Sequence, residues 1–322
     1  MHIIDFHVDT LGRLFILKEK ENRIETLLQN NGHVDIMRLR KSGYTAQMFA
    51  CYVDLGKRPY TKSYYGDALA MIEIFNEGIK GNEEDIAVAK SYNDYLSNKK
   101  CSKLSAFLTI EEGGIIENNI DMLDDLYEKG VRVITLTWNY ENCIGYPNFE
   151  YNYQNQGLKP FGLEALERMD ELGIIVDVSH LSDGGFYDIY RHGKRPFMAT
   201  HSNARSICDV SRNLTDDMIK KLADKGGITG INFCGDFLNL DGKSNMEGMI
   251  RHIKHITKVG GLEVVGLGTD YDGIEGDLEL KGAQDLPKLV EALEAAKFSS
   301  NEIEAICFKN AEKFFERYWG KN

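Results

Sequence analysis

No apolar stretch in this 322-residue sequence approaches the ~20 residues needed to cross a bilayer. Its first apolar run is short, follows no basic region and is interrupted by Asp5, His7 and Asp9, which predicts neither a signal peptide nor a membrane anchor. Cys51, Cys101, Cys143, Cys208, Cys234 and Cys307 include no CxxC pair, so a cysteine-based zinc site is not expected. A chain this long needs no disulfide staples, and the six thiols read as reduced, mostly buried and cytoplasmic. Positive charge is in deficit: 38 Lys and Arg against 50 Asp and Glu leave a formal net charge of -12, the wrong sign for a nucleic-acid partner. Cations suit this surface better than polyanions. Proline is scarce, and no internal repeat or low-complexity tract marks a domain boundary. With 43% hydrophobic residues the chain can bury a sizeable core, and residues 1–322 read as one domain.

What is present is a series of short apolar runs. Ile3-Ile4-Asp5-Phe6-His7-Val8 begins the chain, followed by Tyr44–Asp54, Leu104–Ile110, Val131–Thr137, Ile174–Val178, Phe197–Thr200, Gly227–Phe233 and Val264–Gly268. Between them lie stretches with helical spacing, among them 62–80, 83–98, 161–172 and 246–259, and helices over 285–296, 300–307 and 308–318 finish the chain. Eight strands alternating with helices predict an α/β protein with a parallel sheet, and eight is the number that closes a (β/α)8 TIM barrel. A doubly wound open sheet is the alternative, but no GxGxxG follows the first strand. The segment from Trp138 to Lys159 breaks all periodicity and is crowded with Tyr, Asn, Gln and Gly, as a wall or lid over a site would be.

The strand ends carry the chemistry. His7 and Asp9 are two apart on an extended segment and project to one side. Glu112 follows the third predicted strand, His180 the fifth, His201 the sixth and Asp270 the eighth. In a barrel these positions share the C-terminal mouth, where active sites lie. Three imidazoles and three carboxylates gathered there are hard to explain by stability, because like charges repel unless cations neutralise them. The set exceeds the three protein ligands of a usual catalytic zinc site and suits two metals sharing a carboxylate. His2, His33, His192, His252 and His255 lie away from strand ends and are set aside.

With these residues in hand, the sequence resembles the membrane (renal) dipeptidase family of zinc hydrolases. The matching stretches are Asp5-Phe6-His7-Val8-Asp9, Glu112-Gly113-Gly114, Asp177-Val178-Ser179-His180, Thr200-His201-Ser202, Arg212-Asn213-Leu214-Thr215-Asp216-Asp217 and Gly268-Thr269-Asp270-Tyr271-Asp272-Gly273. The resemblance implies two zinc ions, one on His7 and Asp9 and the other on His180 and His201, with Glu112 bridging them. It implies further that a hydroxide between the metals would attack the peptide carbonyl and that Asp270 would handle protons. Arg212 is implied to bind the free carboxylate of the substrate, a bidentate task that suits a guanidinium; its alternative is a helix-start salt bridge, for instance to Asp216. Animal members carry a histidine after the fourth strand where Trp138 stands here, followed by Asn139, so oxyanion stabilisation is expected to rest on the metals with help from Trp138 or Asn139, with Trp138 equally readable as a wall residue at the start of the long loop.

The expected activity is therefore a metal-dependent dipeptidase acting on small dipeptides, cytoplasmic, with a homodimer common among relatives. Its rivals are a binuclear-metal hydrolase of another small amide or lactone, and a non-catalytic metal- or peptide-binding protein.

Overall fold

Strands form where the apolar runs lie, because each is buried on both faces and so reads as a near-continuous hydrophobic segment rather than an alternating one. The computed structural model describes residues 2–320. In chain order its strands are β1 (Ile3–Val8), β2 (Tyr44–Tyr52), β3 (Ile86–Val88), β4 (Leu104–Glu111), β5 (Val131–Thr135), β6 (Ile175–Asp177), β7 (Met198–Ala199), β8 (Ile228–Ile231) and β9 (Val265–Leu267). All pairings between them are parallel. The sheet runs β2-β1-β9-β8-β7-β6-β5-β4, and β2 pairs with β4 to close it. The result is the expected eight-stranded TIM barrel, and the open-sheet alternative is excluded.

β3 is the departure. The stretch 83–98, expected as one helix, instead forms this short strand and then a helix over Tyr92–Lys100. Ser91 sets the helix start, accepting a hydrogen bond from the Asp94 amide. β3 pairs with Leu104–Ala106 of β4, and β5 takes the rest of the same edge from Leu108 to Glu111. β3 therefore lies outside the closed ring, against the lower half of β4.

Helices cover the outside. The last one is continuous over Ser300–Trp319, but a π turn at Ala305–Lys309 merges the two helices expected at 300–307 and 308–318. Asn310, next after that turn, donates to the carbonyls of Leu262 and Val265 and so fastens the helix to the start of β9. Its Phe314, Phe315 and Tyr318 are buried, and Trp319 stacks on Phe107 of β4 with ring centroids 5.5 Å apart. Each such buried aromatic contributes roughly 1.5–3 kcal/mol of apolar burial. Among the described residues no helix is long and apolar enough to cross a membrane. All six cysteines are free; Cys51, Cys208 and Cys307 are buried.

Candidate active site

The barrel geometry aims the ends of β1, β4, β6, β7 and β9 at one mouth. His7 Nε2 lies 3.3 Å from Asp9 Oδ2, as expected for residues on one side of an extended segment. Glu111, which ends β4, reaches the same point: its Oε2 is 3.4 Å from His7 Nε2, while its Oε1 is 3.1 Å from His180 Nε2 and 3.6 Å from His201 Nε2. One carboxylate thus turns its two oxygens to two separate groups of donors. Asp270 Oδ1 stands 3.9 Å from His7 Nε2. Three overlapping sets of buried donors result, His7 with Asp9 and Glu111, Glu111 with His180 and His201, and His7 with His201 and Asp270, each with its atoms within 4.8 Å of one another.

The structure places Glu111, rather than Glu112, between the donor groups. Glu112, expected there, is absent from these sets. β4 runs one residue further than its apolar run, through Glu111, and the backbone then turns at Glu112 into the left-handed region with φ 98°. This reversal sends the Glu112 side chain backwards to accept from the amides of Gly114 (2.8 Å) and Trp138 (2.9 Å) and from the side chain of Asn142. Burial pushes its carboxyl up to about 7, against the pull of those three donors. Glu112 organises the loop, and Glu111 joins the cluster.

Two aspartates that carried no role in the sequence brace the mouth by the same device. Asp5 accepts from the His7 amide (3.2 Å), the Thr269 amide (2.9 Å) and the Thr269 hydroxyl (2.7 Å). Asp177 accepts from the Ser179 amide (2.9 Å), the Thr200 amide (2.8 Å) and the Thr200 hydroxyl (2.6 Å). Each threonine immediately precedes a cluster residue, Asp270 or His201. Asn232 adds a donor to Asp270 Oδ2 at 2.8 Å. A Cβ at Gly273 would meet Asp9 Oδ2 at 2.1 Å and Asp270 Oδ1 at 2.9 Å, so any larger residue would push both cluster carboxylates aside.

Those outer contacts decide which ring nitrogen faces the cluster. The Thr200 hydroxyl gives its hydrogen to Asp177, so it accepts from His201 Nδ1–H at 2.8 Å. His180 Nδ1–H donates to Asn139 Oδ1 at 3.2 Å. Both rings therefore present an Nε2 lone pair inward, and the two Nε2 atoms are 3.0 Å apart. Lone pairs that close repel unless a cation or proton lies between them. His7 Nε2 and Asp9 Oδ1 are buried with no hydrogen-bond partner. A mixed nitrogen and oxygen donor set with unsatisfied inward atoms fits zinc-like divalent ions.

The charges in the cluster act on one another at short range. Burial pushes Asp9 well above the usual carboxylate range, and the neighbouring Glu111 charge adds to it. Burial also pushes Asp270 up to about 6, with His7 pulling it down and Glu111 pushing it up. Burial alone would raise Glu111 and lower His7, but their mutual attraction outweighs it, holding Glu111 low and His7 high. Burial holds His180 down to about 4, helped by the Arg212 charge. A metal binding here displaces the protons that these groups share.

Arg212 is buried and has no carboxylate within ion-pair distance among the described residues; the Asp216 alternative fails, because Asp216 pairs with His255 at 2.7 Å. Its guanidinium makes only long contacts, to Ser202 Oγ at 3.5 Å and the His201 carbonyl at 3.4 Å, and its Nε has no partner. It lies over the Phe237 ring at 5.1 Å. A buried cation left short of acceptors beside the cluster can receive an anion. Trp138 is half-buried, its ring 4.9 Å from Tyr52, 5.8 Å from Tyr140 and 6.2 Å from His180, which makes it part of an aromatic wall. Asn139 stands behind His180, with its side-chain carbonyl occupied by that ring.

Sequence reasoning missed Glu111, Asn142, Thr200 and Asn232 as site residues. Glu111 had a signal, since a strand extended by one residue places it two after Thr109 on the same side; the others depend on contacts between distant segments. The five histidines set aside are absent from the three donor sets.

The family model for membrane dipeptidase (peptidase family M19) matches residues 1–318. An uncharacterized dipeptidase of Schizosaccharomyces pombe is 27% identical over 332 residues, covering 98% of this chain and 80% of that protein. Among solved structures, the metallopeptidase dipeptidase AC is 25% identical with a TM-score of 0.89, over 99% of both chains. A metallopeptidase from Rhodobacter sphaeroides, liganded with a phosphinate mimic of the dipeptide L-Ala-D-Ala, is 25% identical with a TM-score of 0.90, also over 99% of both chains.

Proposed function

The chain belongs to the membrane dipeptidase family, peptidase family M19, and from that premise we propose that it hydrolyses the peptide bond of free dipeptides with two zinc ions held by His7, Asp9, Glu111, His180 and His201. The observation that carries this reading is that buried donor cluster with Arg212 beside it, a buried guanidinium lacking a carboxylate partner among the described residues. When bound, the ions polarise the scissile carbonyl and lower the pKa of the attacking water.

The chain's own groups do the rest. Arg212 takes the C-terminal carboxylate in a bidentate grip and so sets the peptide bond of the C-terminal residue at the donor cluster. Asp270, oriented by Asn232 and the Asp5–Thr269 brace, accepts the proton released by the attacking water and passes it to the leaving amine. Trp138, Tyr52 and Tyr140 wall the mouth and limit water. The dipeptide mimic bound by the Rhodobacter sphaeroides structure supports the substrate class.

The test is a metal count on purified protein together with turnover of L-L and L-D dipeptides, C-terminally amidated dipeptides and small lactones, before and after chelation. Cleavage of free dipeptides, lost on chelation and restored by zinc, is expected. Metal-loaded protein that opens lactones or other amides and leaves every dipeptide intact would transfer the assignment to that second class, which Trp138 in the position of the animal histidine favours.

A further inference from the structure

Arg212 is poorly held by its own side-chain contacts, so its position depends on its backbone. That backbone belongs to an excursion that leaves and returns at one point: Arg205 N donates to the Leu214 carbonyl at 2.8 Å and Leu214 N to the Asn203 carbonyl at 2.9 Å. Inside the excursion one side chain brackets Arg212. Arg205 donates from Nε to the Asn213 carbonyl at 3.0 Å and from Nη2 to the Ser211 carbonyl at 3.2 Å, the residues on either side of Arg212.

The same guanidinium forms a two-point pair with Asp183, Nη1 to Oδ2 and Nη2 to Oδ1, each 2.8 Å. Asp183 begins the helix Asp183–His192, directly after the loop that carries His180. From the long 138–159 loop, Gln154 Nε2 donates to Asp183 Oδ2 at 3.0 Å, and the Tyr151 ring lies 5.2 Å from the Arg205 guanidinium. Tyr151 also donates to Asp209 at 3.1 Å, in the excursion itself. Arg205 therefore joins three segments: the Arg212 backbone, the helix after His180, and the wall loop that starts at Trp138.

We propose that Arg205, locked by Asp183 and covered by Tyr151, is a positioning residue that sets where Arg212 receives the substrate carboxylate. It touches neither substrate nor metal donors, and acts only by fixing the peptide units on either side of Arg212. A guanidinium is required, because a lysine can keep the ion pair with Asp183 but has no planar fork to reach both carbonyls. This rests on the reading of Arg212 as the carboxylate anchor.

The experiment compares kcat and KM for a free dipeptide and its C-terminal amide in wild type, R205K and R212M, with metal content measured on each. In R205K the KM for the free dipeptide rises on the order of 10-fold, kcat stays within about twofold, and the amide is unaffected. Metal content is unchanged. D183N, which keeps one acceptor and removes the charge, gives the same pattern more weakly and serves if R205K does not fold. Wild type that does not distinguish the free dipeptide from its amide, or R212M that keeps the wild-type preference, would overturn the anchor reading itself. If wild type prefers the free dipeptide and R212M loses that preference, then R205K and D183N retaining it in full, or losing both substrates equally, overturns the role of Arg205.

Discussion

His252 supplies a prediction whose size follows from the structure. It lies buried in the helix Met246–Gly260, with Nδ1 accepting from the Ala204 amide at 3.1 Å and Nε2–H donating to the Leu238 carbonyl at 3.1 Å. Both nitrogens are satisfied only in the neutral ring, since a second ring proton would point at the Ala204 N–H. Burial accordingly pushes the imidazole down to about 4 from its ordinary 6.5. The unfolded chain then takes up this proton first, so the His252 contribution to stability is complete above pH 6.5 and is lost as the pH falls towards 4. At 1.36 kcal/mol per pKa unit, the loss is about 2 kcal/mol at pH 5 and about 3 kcal/mol at pH 4. In H252Q the side-chain amide can still donate to Leu238 but cannot accept from Ala204, which costs ~1–3 kcal/mol at pH 7. It has nothing to titrate. Urea unfolding of wild type and H252Q from pH 7 to 4 should therefore show the gap between them closing by those amounts, every other ionisable group being common to both. A gap that stays constant to pH 4 refutes the argument.

Two further outcomes bear on the site. E111Q should weaken metal binding on the order of 100-fold or more, whereas E112Q keeps its metal and loses ~1–3 kcal/mol of stability from the loop amides it leaves short of an acceptor; chelator competition and thermal melts separate the two. D270N should retain the metal content of the wild type and lose about 10²–10⁴ in kcat, and metal-replete D270N with normal turnover would remove Asp270 from proton transfer.

The eight barrel strands were legible because parallel strands covered on both faces write themselves as apolar runs, and the site because its residues sit at the ends of those runs. β3 was hidden: Ile86-Ala87-Val88 is too short to carry a period and lies among residues with helical spacing. Glu111 was lost for a different reason. Two glutamates stand side by side at the end of β4, and only the left-handed turn at Glu112 decides which of them faces the mouth. Arg212 was found through a motif, but its burial without a counter-ion was not foreseeable from Asp216 four residues on. Thr200, Asn232 and Arg205 matter through partners 23 to 38 and 22 residues away, as in Thr200 to Asp177, Asn232 to Asp270 and Arg205 to Asp183. No local pattern encodes such contacts.

The paired aspartate braces also bear on how the ring keeps its alignment. β1 meets β9 through a single matched pair, Asp5 with Leu267, and β6 meets β7 through one, Asp177 with Met198. Ladders that brief specify register weakly, and a slip of one residue would turn every side chain on the strand to the opposite face. At both seams the matched residue is the aspartate itself, whose carboxylate fixes the amide and hydroxyl of the threonine that follows the neighbouring strand. Side chains thus reinforce the short backbone ladders at the two seams, which the Val8–Tyr271 bridge and the Val178 amide to Met198 carbonyl bond extend by little, so D5N or D177N would be expected to loosen strand alignment before it disturbs any cluster residue directly.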